Sequence, residues 1–269
     1  MSDLSRPPMP RILAVANQKG GVGKTTTTIN LGAALAEAGN KVLLIDLDPQ
    51  GNASTGLGID VADRKLTTYD LLIEETPLNQ IVTQTNTEGM LIAPATTDLS
   101  SADIELVASE KRIFLLRDAL HDRSIDQWNL DYVLIDCPPS LSLLTVNAMV
   151  AADAVLVPLQ SEFFALEGLS QLMLTVRQVR ESANKDLRIE GVVLTMFDRR
   201  NNLSLMVEKD ARETLGDLVF DTVVPRNVRL SEAPSYAVPV TEYDSTSKGS
   251  QAYRALAREM VERSNVATK

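Results

Sequence analysis

The chain alternates between short, nearly continuous runs of branched apolar residues and longer segments in which apolar residues recur every three or four positions. A continuous run is typical of a strand buried on both faces of a sheet, whereas the longer spacing is typical of a helix with one apolar face. Seven runs are predicted to be strands: residues 11–16, 41–47, 90–95, 132–136, 154–159, 189–196 and 219–224. Six segments are predicted to be helices: residues 25–38, 101–121, 143–151, 167–183, 203–215 and 251–261.

The order of these elements predicts the fold class. Alternating strands and helices imply right-handed crossover connections and a mainly parallel sheet between two layers of helices. The 269 residues show no low-complexity linker, internal repeat or shift in composition. We therefore predict a single α/β domain over residues 11–264, with a twisted sheet of about seven or eight strands and helices on both faces. Residues 1–10 and 265–269 are predicted to be short tails.

Composition narrows the class of protein. Apolar residues make up 44% and charged residues 23%, as in ordinary folded domains. A single cysteine, Cys137, excludes a disulfide framework and a cysteine-based metal site within one chain. The cytoplasm is the expected compartment, because no apolar run approaches the length of a membrane span and residues 1–10 lack a signal-peptide pattern. The net charge of −10 argues, taken alone, against nucleic acid as a partner.

A glycine-rich segment joins the first predicted strand to the first predicted helix. It reads Lys19-Gly20-Gly21-Val22-Gly23-Lys24-Thr25-Thr26. A strand, a glycine-rich loop and a helix N-terminus form a P-loop, whose backbone N–H groups surround phosphate oxygens. In that arrangement Lys24 reaches the β- and γ-phosphates, the Thr25 hydroxyl coordinates Mg²⁺, and Thr26 bonds the α-phosphate. The segment departs from the common pattern, because Gln18 replaces the first glycine and a second lysine, Lys19, follows it.

Three aspartates lie at the carboxyl ends of two other predicted strands. Asp46 and Asp48 end the second strand, and Asp136 ends the fourth. Because the carboxyl ends of parallel strands share one edge of the sheet, all three are expected beside the phosphate loop. A strand-terminal aspartate at this place can hold Mg²⁺ through water. We therefore predict a Mg²⁺ site formed by Thr25, Asp46 and Asp136.

Six blocks of the sequence resemble the deviant Walker A P-loop ATPases, and within them the ParA-type, or Soj-like, chromosome and plasmid partitioning proteins. The blocks are residues 16–19, 46–52, 136–140, 162–168, 195–198 and 225–229, spread over nearly the whole chain. Several of them have no role in generic P-loop chemistry, which makes the resemblance specific. It implies a cytoplasmic, nucleoid-associated ATPase that uses ATP and Mg²⁺ and turns over slowly until a partner stimulates it.

The resemblance also implies roles for individual residues. Lys19 is the signature lysine, which reaches across a homodimer interface so that two subunits enclose two ATP molecules. A lysine supplied in trans makes dimerisation and charge neutralisation one event, as an arginine finger does. Lys24 and Asp48 complete the implied catalytic set; Asp48 orients the attacking water, so Asp48→Ala should trap the ATP-bound dimer. The residues implied to border the adenine are Met196, Pro225, Arg226 and Asn227.

Proteins of this family bind double-stranded DNA non-specifically as ATP-bound dimers, and the resemblance maps that role onto Arg200 and Arg229. We predict that the neighbouring Arg199 joins them, and that these arginines and Arg226 lie in loops. Sequence-independent binding needs only cations placed along phosphates. Residues 188–229 contain seven basic and seven acidic residues, so the whole acidic excess lies elsewhere in the chain. The net charge therefore does not exclude DNA.

Three functions remain open from the sequence. The leading one is an ATP-dependent dimerisation switch that partitions chromosome or plasmid DNA with a ParB-type, hydrolysis-stimulating partner and no membrane. The runner-up is a MinD-like positioning ATPase on membranes, whose C-terminal helix would be basic with bulky apolar residues. The last predicted helix here mixes both charges: Arg254, Arg258, Glu259, Glu262 and Arg263. A ligase or iron–sulfur reductase on the same scaffold is the third, and a reductase needs a cysteine pair that Cys137 alone does not supply.

Overall fold

Seven strands form one sheet in the computed structural model, which describes residues 8–108, 111–162 and 165–267. The strands are β1 (Arg11–Val15), β2 (Val42–Asp46), β3 (Thr83–Gln84), β4 (Met90–Ala93), β5 (Tyr132–Asp136), β6 (Ala154–Gln160) and β7 (Arg188–Thr195). Their order across the sheet is β3-β4-β2-β5-β1-β6-β7, and only the β3–β4 pair is antiparallel. This is the mainly parallel α/β architecture that the sequence predicts.

Helices cover both faces of the sheet. The α-helices in the described residues are α1 (Lys24–Glu37), α2 (Asn52–Gly56), α3 (Thr68–Ile73), α4 (Leu78–Ile81), α5 (Ala102–Glu105), α6 (Leu115–His121), α7 (Leu143–Ala151), α8 (Ala165–Ser182), α9 (Asn202–Leu215), α10 (Val228–Glu232), α11 (Val240–Tyr243) and α12 (Lys248–Ala267). Alternate residues of β1 enter opposite cores, because successive side chains of a strand point to opposite faces. Leu13 and Val15 pack with α1 and α12, whereas Ile12 and Ala14 pack with α6, α7 and α8.

Six of the seven predicted strands form within two residues of their expected bounds, and the prediction of a strand over 219–224 is wrong. That segment meets β7 at an isolated parallel bridge between Val219 and Val192, and through bonds from Phe220 N to Val192 O and from Val224 N to Leu194 O. Between these two points the Glu259 carboxylate of α12 accepts from the backbone N–H groups of residues 221 and 222, at 2.7 and 2.8 Å. The Thr222 N–H, which a regular parallel ladder would direct to Leu194 O, is thus taken by a side chain. The two-residue strand β3 has no sequence signal.

The predicted helix over 101–121 is also wrong as a single element. The structure divides it into α5, a 3₁₀ turn over Leu106–Ala108 and α6, with residues 109–110 outside the described part of the chain. Asn147 of α7 bonds both sides of the start of α6: its Nδ2 donates to Arg112 O, and its Oδ1 accepts from Leu116 N. A buried amide that satisfies these backbone groups stabilises a helix start inside an otherwise helical pattern.

The structure describes part of each predicted tail. Residues 1–7 of the predicted N-terminal tail lie outside the described residues, and residues 8–10 form no helix or strand. Helix α12 continues to Ala267, three residues into the predicted C-terminal tail. Across the described ranges, we find no helix with both the length and the apolar character needed to traverse a bilayer.

Candidate functional site

The phosphate loop follows β1 and ends where α1 begins. Gly21 and Gly23 have φ of +75° and +88°, a backbone conformation that glycine adopts without the strain of a Cβ atom. A Cβ atom at Gly20 would lie 3.9 Å from Pro139. The ammonium of Lys24 folds back over the loop and donates to the Lys19 carbonyl at 3.0 Å. The loop thus has an open backbone cradle with a buried cation at its centre.

Two buried carboxylates face this loop from neighbouring strands. Asp46 and Asp136 stand opposite each other in the β2–β5 register, and both are fully buried. Asp136 accepts from the hydroxyls of Thr25 and Thr28, at 2.7 and 3.2 Å. Burial raises the pKa of both carboxyls, and the charge of Asp46 raises that of Asp136 further. Burial lowers the pKa of Lys24, which the charge of Asp136 partly offsets.

These groups fit the predicted magnesium site. In the described part of the chain, no three His, Cys, Asp or Glu side chains converge closely enough to hold a metal ion by themselves. Mg²⁺ does not need such a cage, because it commonly keeps several waters and binds one or two protein oxygens together with phosphate oxygens. The Thr25 hydroxyl and the Asp136 carboxylate supply oxygens of this kind beside the loop, and the charge of Asp46 lies next to them. A divalent cation would also offset the burial and the mutual repulsion that raise the pKa of these carboxyls.

Hydrogen bonds hold the segment after β2 in a fixed turn. Asp46 accepts from Ser54 N and Ser54 Oγ at 2.9 and 2.7 Å, and from Asp48 N at 3.2 Å. Asp48 is 8% exposed, and its carboxylate accepts from Gln50 N at 3.0 Å. Gly51 N closes the turn on Asp48 O at 2.8 Å. Asp48 therefore lies at the same sheet edge as the phosphate loop, as its position after a parallel strand predicts.

A cavity of about 420 Å³ adjoins the phosphate loop. The structure brings the predicted adenine contacts together in it with part of the loop: its lining includes Gly23, Thr26, Met196, Pro225, Arg226, Asn227 and Tyr253. Thr195 Oγ1 at the end of β7 donates to Val22 O at 2.8 Å and so fixes this wall to the loop. Adenine contact by these residues stays a prediction, and the cavity places all of them within reach of one ligand.

Lys19 has a partner that the sequence does not indicate. Its ammonium forms an ion pair with Glu162, and both side chains are partly exposed. Glu162 belongs to the 162–168 block, for which sequence reasoning finds no chemical role. The only sequence signal for its role is its place in a block shared with the family. In the isolated chain, then, Lys19 is held by a carboxylate of its own subunit.

The predicted DNA-binding arginines follow β7 and flank the cavity. Arg199 and Arg200 lie in a turn and Arg226 in a loop, as predicted, but Arg229 lies on α10, so that part of the prediction is wrong. The helix begins there because the Asn227 side chain accepts from Arg229 N at 2.8 Å, a cap that satisfies a free helical donor. Backbone bonds from Phe197 N to Val224 O and from Arg226 N to Phe197 O join the two loops, both at 3.1 Å.

Two of these arginines, Arg200 and Arg229, form ion pairs with carboxylates close to them. Arg200 donates from Nε and Nη2 to the Asp198 carboxylate at 3.0 and 2.9 Å, which lowers the pKa of Asp198 to about 2. Arg229 pairs with Glu232 at 2.8 Å and with Asp244 at 3.3 Å. The side chain of Arg200 is 91% exposed and that of Arg229 is 50% exposed. Both guanidinium groups are therefore accessible while their charges are locally balanced.

Comparisons of the sequence with known proteins agree on one kind of protein. A family model described as an AAA domain matches residues 10–189. The chain is 59% identical to the chromosome partitioning protein ParA of Caulobacter vibrioides over 94% of each chain. It is 51% identical to the sporulation initiation inhibitor protein Soj of Bacillus subtilis, over 94% of this chain and 98% of that one.

Solved structures share the same architecture. A cobyrinic acid a,c-diamide synthase from Mycobacterium smegmatis, with bound ADP and magnesium, is 37% identical with a TM-score of 0.80 over 93% of each chain. The cell division ATPase MinD of Pyrococcus furiosus is 28% identical with a TM-score of 0.77, over 94% of this chain and 99% of that one. Both similarities are lower in identity than those to ParA and Soj, so the sequence is nearer to the partitioning proteins.

The phosphate loop yields a direct test. Lys24→Ala removes the cation at the centre of the cradle, and we expect the affinity for a fluorescent ATP analogue with Mg²⁺ to fall by about 10- to 100-fold, as for hydrogen bonds to charged groups. Lys209→Ala is the matched control, because Lys209 lies on exposed α9 and pairs only with Glu213 among the described ion pairs. A Lys24→Ala protein that binds the analogue or hydrolyses ATP like the native chain would overturn the site assignment.

Proposed function

We propose, on the premise that this chain belongs to the ParA/Soj family of chromosome-partitioning P-loop ATPases, that ATP converts it from a free form into a DNA-bound form. ATP with Mg²⁺ closes a homodimer, the dimer binds double-stranded DNA without sequence preference, and hydrolysis opens it. A ParB-type centromere-binding protein stimulates that hydrolysis, which is slow without it. Slow turnover suits a switch, because its output is the population of a bound state and not the amount of product. The protein acts in the cytoplasm, on the nucleoid.

The observation that carries this proposal is the sharing of two loops by the nucleotide cavity and the basic surface. Residues 196–200 and 225–229 contribute Met196, Pro225, Arg226 and Asn227 to the cavity wall. The same two stretches carry Arg199, Arg200 and Arg229. Because backbone hydrogen bonds join the loops to each other, a nucleotide base held in the cavity would constrain the arginines that these loops carry. The nucleotide cavity and the proposed DNA-contacting arginines are thus connected through the same two short loops.

The pairing of Lys19 supports a role for dimerisation. In the isolated chain Lys19 is engaged with Glu162. For Lys19 to reach the phosphates of a partner subunit, it must exchange this carboxylate for phosphate oxygens of higher charge. An exposed ion pair contributes only about 0–1 kcal/mol, so the exchange costs little. The higher negative charge of a triphosphate favours this exchange, which supports a dimer that depends on ATP.

The charges around the arginines support DNA binding that depends on dimerisation. In the free chain, Asp198 balances Arg200, and Glu232 and Asp244 balance Arg229. Their groups are exposed, so DNA phosphates can compete for the guanidinium groups. A single chain with a net charge of −10 offers few such contacts, and a dimer doubles them. Each phosphate that the protein neutralises adds to the logarithm of the non-specific affinity. Doubling the number of contacts therefore raises the affinity steeply.

The membrane alternative has less support. On α12, Tyr253, Leu256 and Met260 are buried against the core that contains α1, so its apolar face is already covered. Arg254 pairs with Glu37 at 2.6 Å, and Arg263 pairs with Glu259 at 2.7 Å. A helix that docks on a membrane surface needs a free apolar face with basic residues beside it. We therefore retain DNA as the proposed surface partner.

The test of the proposed function is co-sedimentation with plasmid DNA in the presence of ATP and Mg²⁺, of ADP and Mg²⁺, and of no nucleotide. We expect retention with ATP alone, and the same retention on DNA of unrelated sequence. Affinity should fall with salt at a log–log slope of about −0.9 for each phosphate neutralised. Equal retention in all three states would contradict the switch, and binding to anionic vesicles instead of DNA would favour the MinD-like alternative.

The arginine surface gives a second prediction. Arg200→Ala and Arg229→Glu should weaken DNA binding while ATP-dependent dimerisation stays native, and the salt slope of each should become shallower by about 0.9 for every phosphate that the variant no longer neutralises. Fluorescence anisotropy of labelled DNA at several salt concentrations measures both. Arg177→Ala is the control, because Arg177 is an exposed arginine of α8 paired with Glu181 at 2.9 Å. If both loop variants bind DNA like the native chain, these loops are not the DNA surface.

The Lys19–Glu162 pair gives a third prediction. Glu162→Gln frees Lys19 from its own subunit's carboxylate, so ATP-dependent dimerisation should tighten by up to about fivefold, the range for an exposed ion pair. Sedimentation equilibrium with a non-hydrolysable ATP analogue measures the dimer Kd. Glu181→Gln, which breaks the Arg177 pair on α8, should leave it unchanged. A weaker dimer in Glu162→Gln would mean that Glu162 acts in the dimer interface and does not restrain Lys19.

A further inference from the structure

Arg64 is a buried arginine behind the turn that carries Asp48. Its residue is 8% exposed, and it lies in the connection between α2 and α3. Within the described residues, the guanidinium makes four hydrogen bonds, all to uncharged oxygens. They are Nε to Ile59 O at 3.0 Å, Nη1 to Ala95 O at 2.8 Å, Nη2 to Thr55 Oγ1 at 2.8 Å and Nη2 to Ile59 O at 2.7 Å. Burying a charge without a carboxylate partner is costly, so its retention here calls for a reason.

The guanidinium is pressed against the backbone of Gly51. A Cβ atom at Gly51 would lie 2.4 Å from Arg64 Nη1 and 2.9 Å from Ala95 O, so no larger residue fits there without displacement. Gly51 is also left-handed, with φ of +61°. It closes the turn on Asp48 through the bond from its N–H to Asp48 O at 2.8 Å. Arg64 therefore contacts the far side of the same turn whose near side presents Asp48.

The backbone of Ala95 connects Arg64, through Ser54, to the buried carboxylate of Asp46. Ala95 O accepts from Arg64, and Ala95 N donates to Ser54 Oγ at 3.0 Å. Ser54 Oγ in turn donates to Asp46 at 2.7 Å. The positive charge of Arg64 also acts on Asp46, since the charge of Asp46 opposes the lowering of the pKa of Arg64 by burial. One guanidinium thus links the segment after β4, α2 and the Asp48 turn.

We propose that Arg64 is a positioning residue for ATP hydrolysis. It holds the Asp48–Gly51 turn against the segment that follows β4 and so fixes the Asp48 carboxylate where it orients the attacking water. This inference rests on the proposed function, which assigns that role to Asp48. Arg64 touches neither nucleotide nor water in this scheme. It acts entirely through the turn, so its loss should lower the rate of hydrolysis without lowering the affinity for ATP.

The test compares Arg64→Met with Arg64→Lys in the full chain. Arg64→Met keeps a long apolar side chain and removes all four bonds. We expect single-turnover hydrolysis to slow by about 10- to 100-fold, the effect of misplacing a catalytic group by about 1 Å. The Kd for a fluorescent ATP analogue should stay within about threefold, since ground-state binding is separate from transition-state positioning. Arg64→Lys keeps the charge and one bond, and should recover part of the rate.

A matched control separates positioning from stability. Arg263 also bonds two backbone carbonyls, Asp217 O at 2.8 Å and Val219 O at 2.9 Å, but it lies on α12 away from the turn. Arg263→Met should lower Tm as Arg64→Met does and leave the hydrolysis rate native. If Arg64→Met lowers Tm yet hydrolyses at the native rate, or slows hydrolysis no more than Arg263→Met, the proposal is overturned.

Two further measurements keep the outcomes distinct. If Arg64→Met does not fold, Thr55→Val removes both an acceptor of the guanidinium and the bond from Thr55 Oγ1 to Gly51 O at 3.1 Å, and a native hydrolysis rate in that variant would overturn the proposal. Asp48→Ala is the reference for complete loss of water orientation. A wild-type chain without ATPase activity would contradict the proposed function, whereas an active wild type, an inactive Asp48→Ala and a fully active Arg64→Met would contradict only the inference about Arg64.

Discussion

The pairing of β2 with β5 is the constraint on which the rest of the site depends. This register places Asp46 directly beside Asp136 at the edge of the sheet, where both are fully buried. Two carboxylates so close in a low-dielectric environment repel each other, and each remains charged only if nearby donors or cations stabilise it. Thr25, Thr28 and Ser54 supply donors, and Lys24 supplies a positive charge. Mg²⁺ bound together with the nucleotide would supply a further positive charge, which makes the metal ion part of the electrostatic balance of the core.

Two hydrogen-bonded connections lead from this edge of the sheet to other parts of the structure. On one side, Ser54 and the Ala95 peptide connect Asp46 to Arg64 and to the turn of Asp48. On the other side, Thr195 Oγ1 connects the phosphate loop to the end of β7, and the loops beyond β7 carry the arginines. In the proposed function, hydrolysis and DNA contact are therefore served by different segments, which meet at the phosphate loop and where Gly56 of α2 lies beside Pro234, shortly after α10.

Local features of the sequence predict most of the fold and the centre of the site. Continuous apolar runs mark buried strands wherever packing on both faces decides the structure, and aspartates that follow such runs must lie on one edge. The prediction fails where a distant side chain takes over the backbone, as Glu259 does over residues 221–222 and Asn147 does at the start of α6. Arg64 and Glu162 also have partners that are distant in the chain. Arg64 bonds Ala95 O, 31 positions away, and Glu162 pairs with Lys19, 143 positions away, so no local pattern indicates either contact.

If DNA binding depends on dimerisation, the acidic charge of the chain and the local pairing of its basic loops both favour the release of DNA. Arg200 and Arg229 each have a carboxylate partner close by in the free chain, so leaving DNA does not expose either as an unpaired cation. The release of DNA then costs only the exchange of one anion for another, and the repulsion between a chain of charge −10 and the phosphate backbone favours departure. Binding must consequently come from the number of arginines presented together. In the proposed function, a dimer that doubles this number on closing and halves it on opening would convert hydrolysis of ATP into release of DNA.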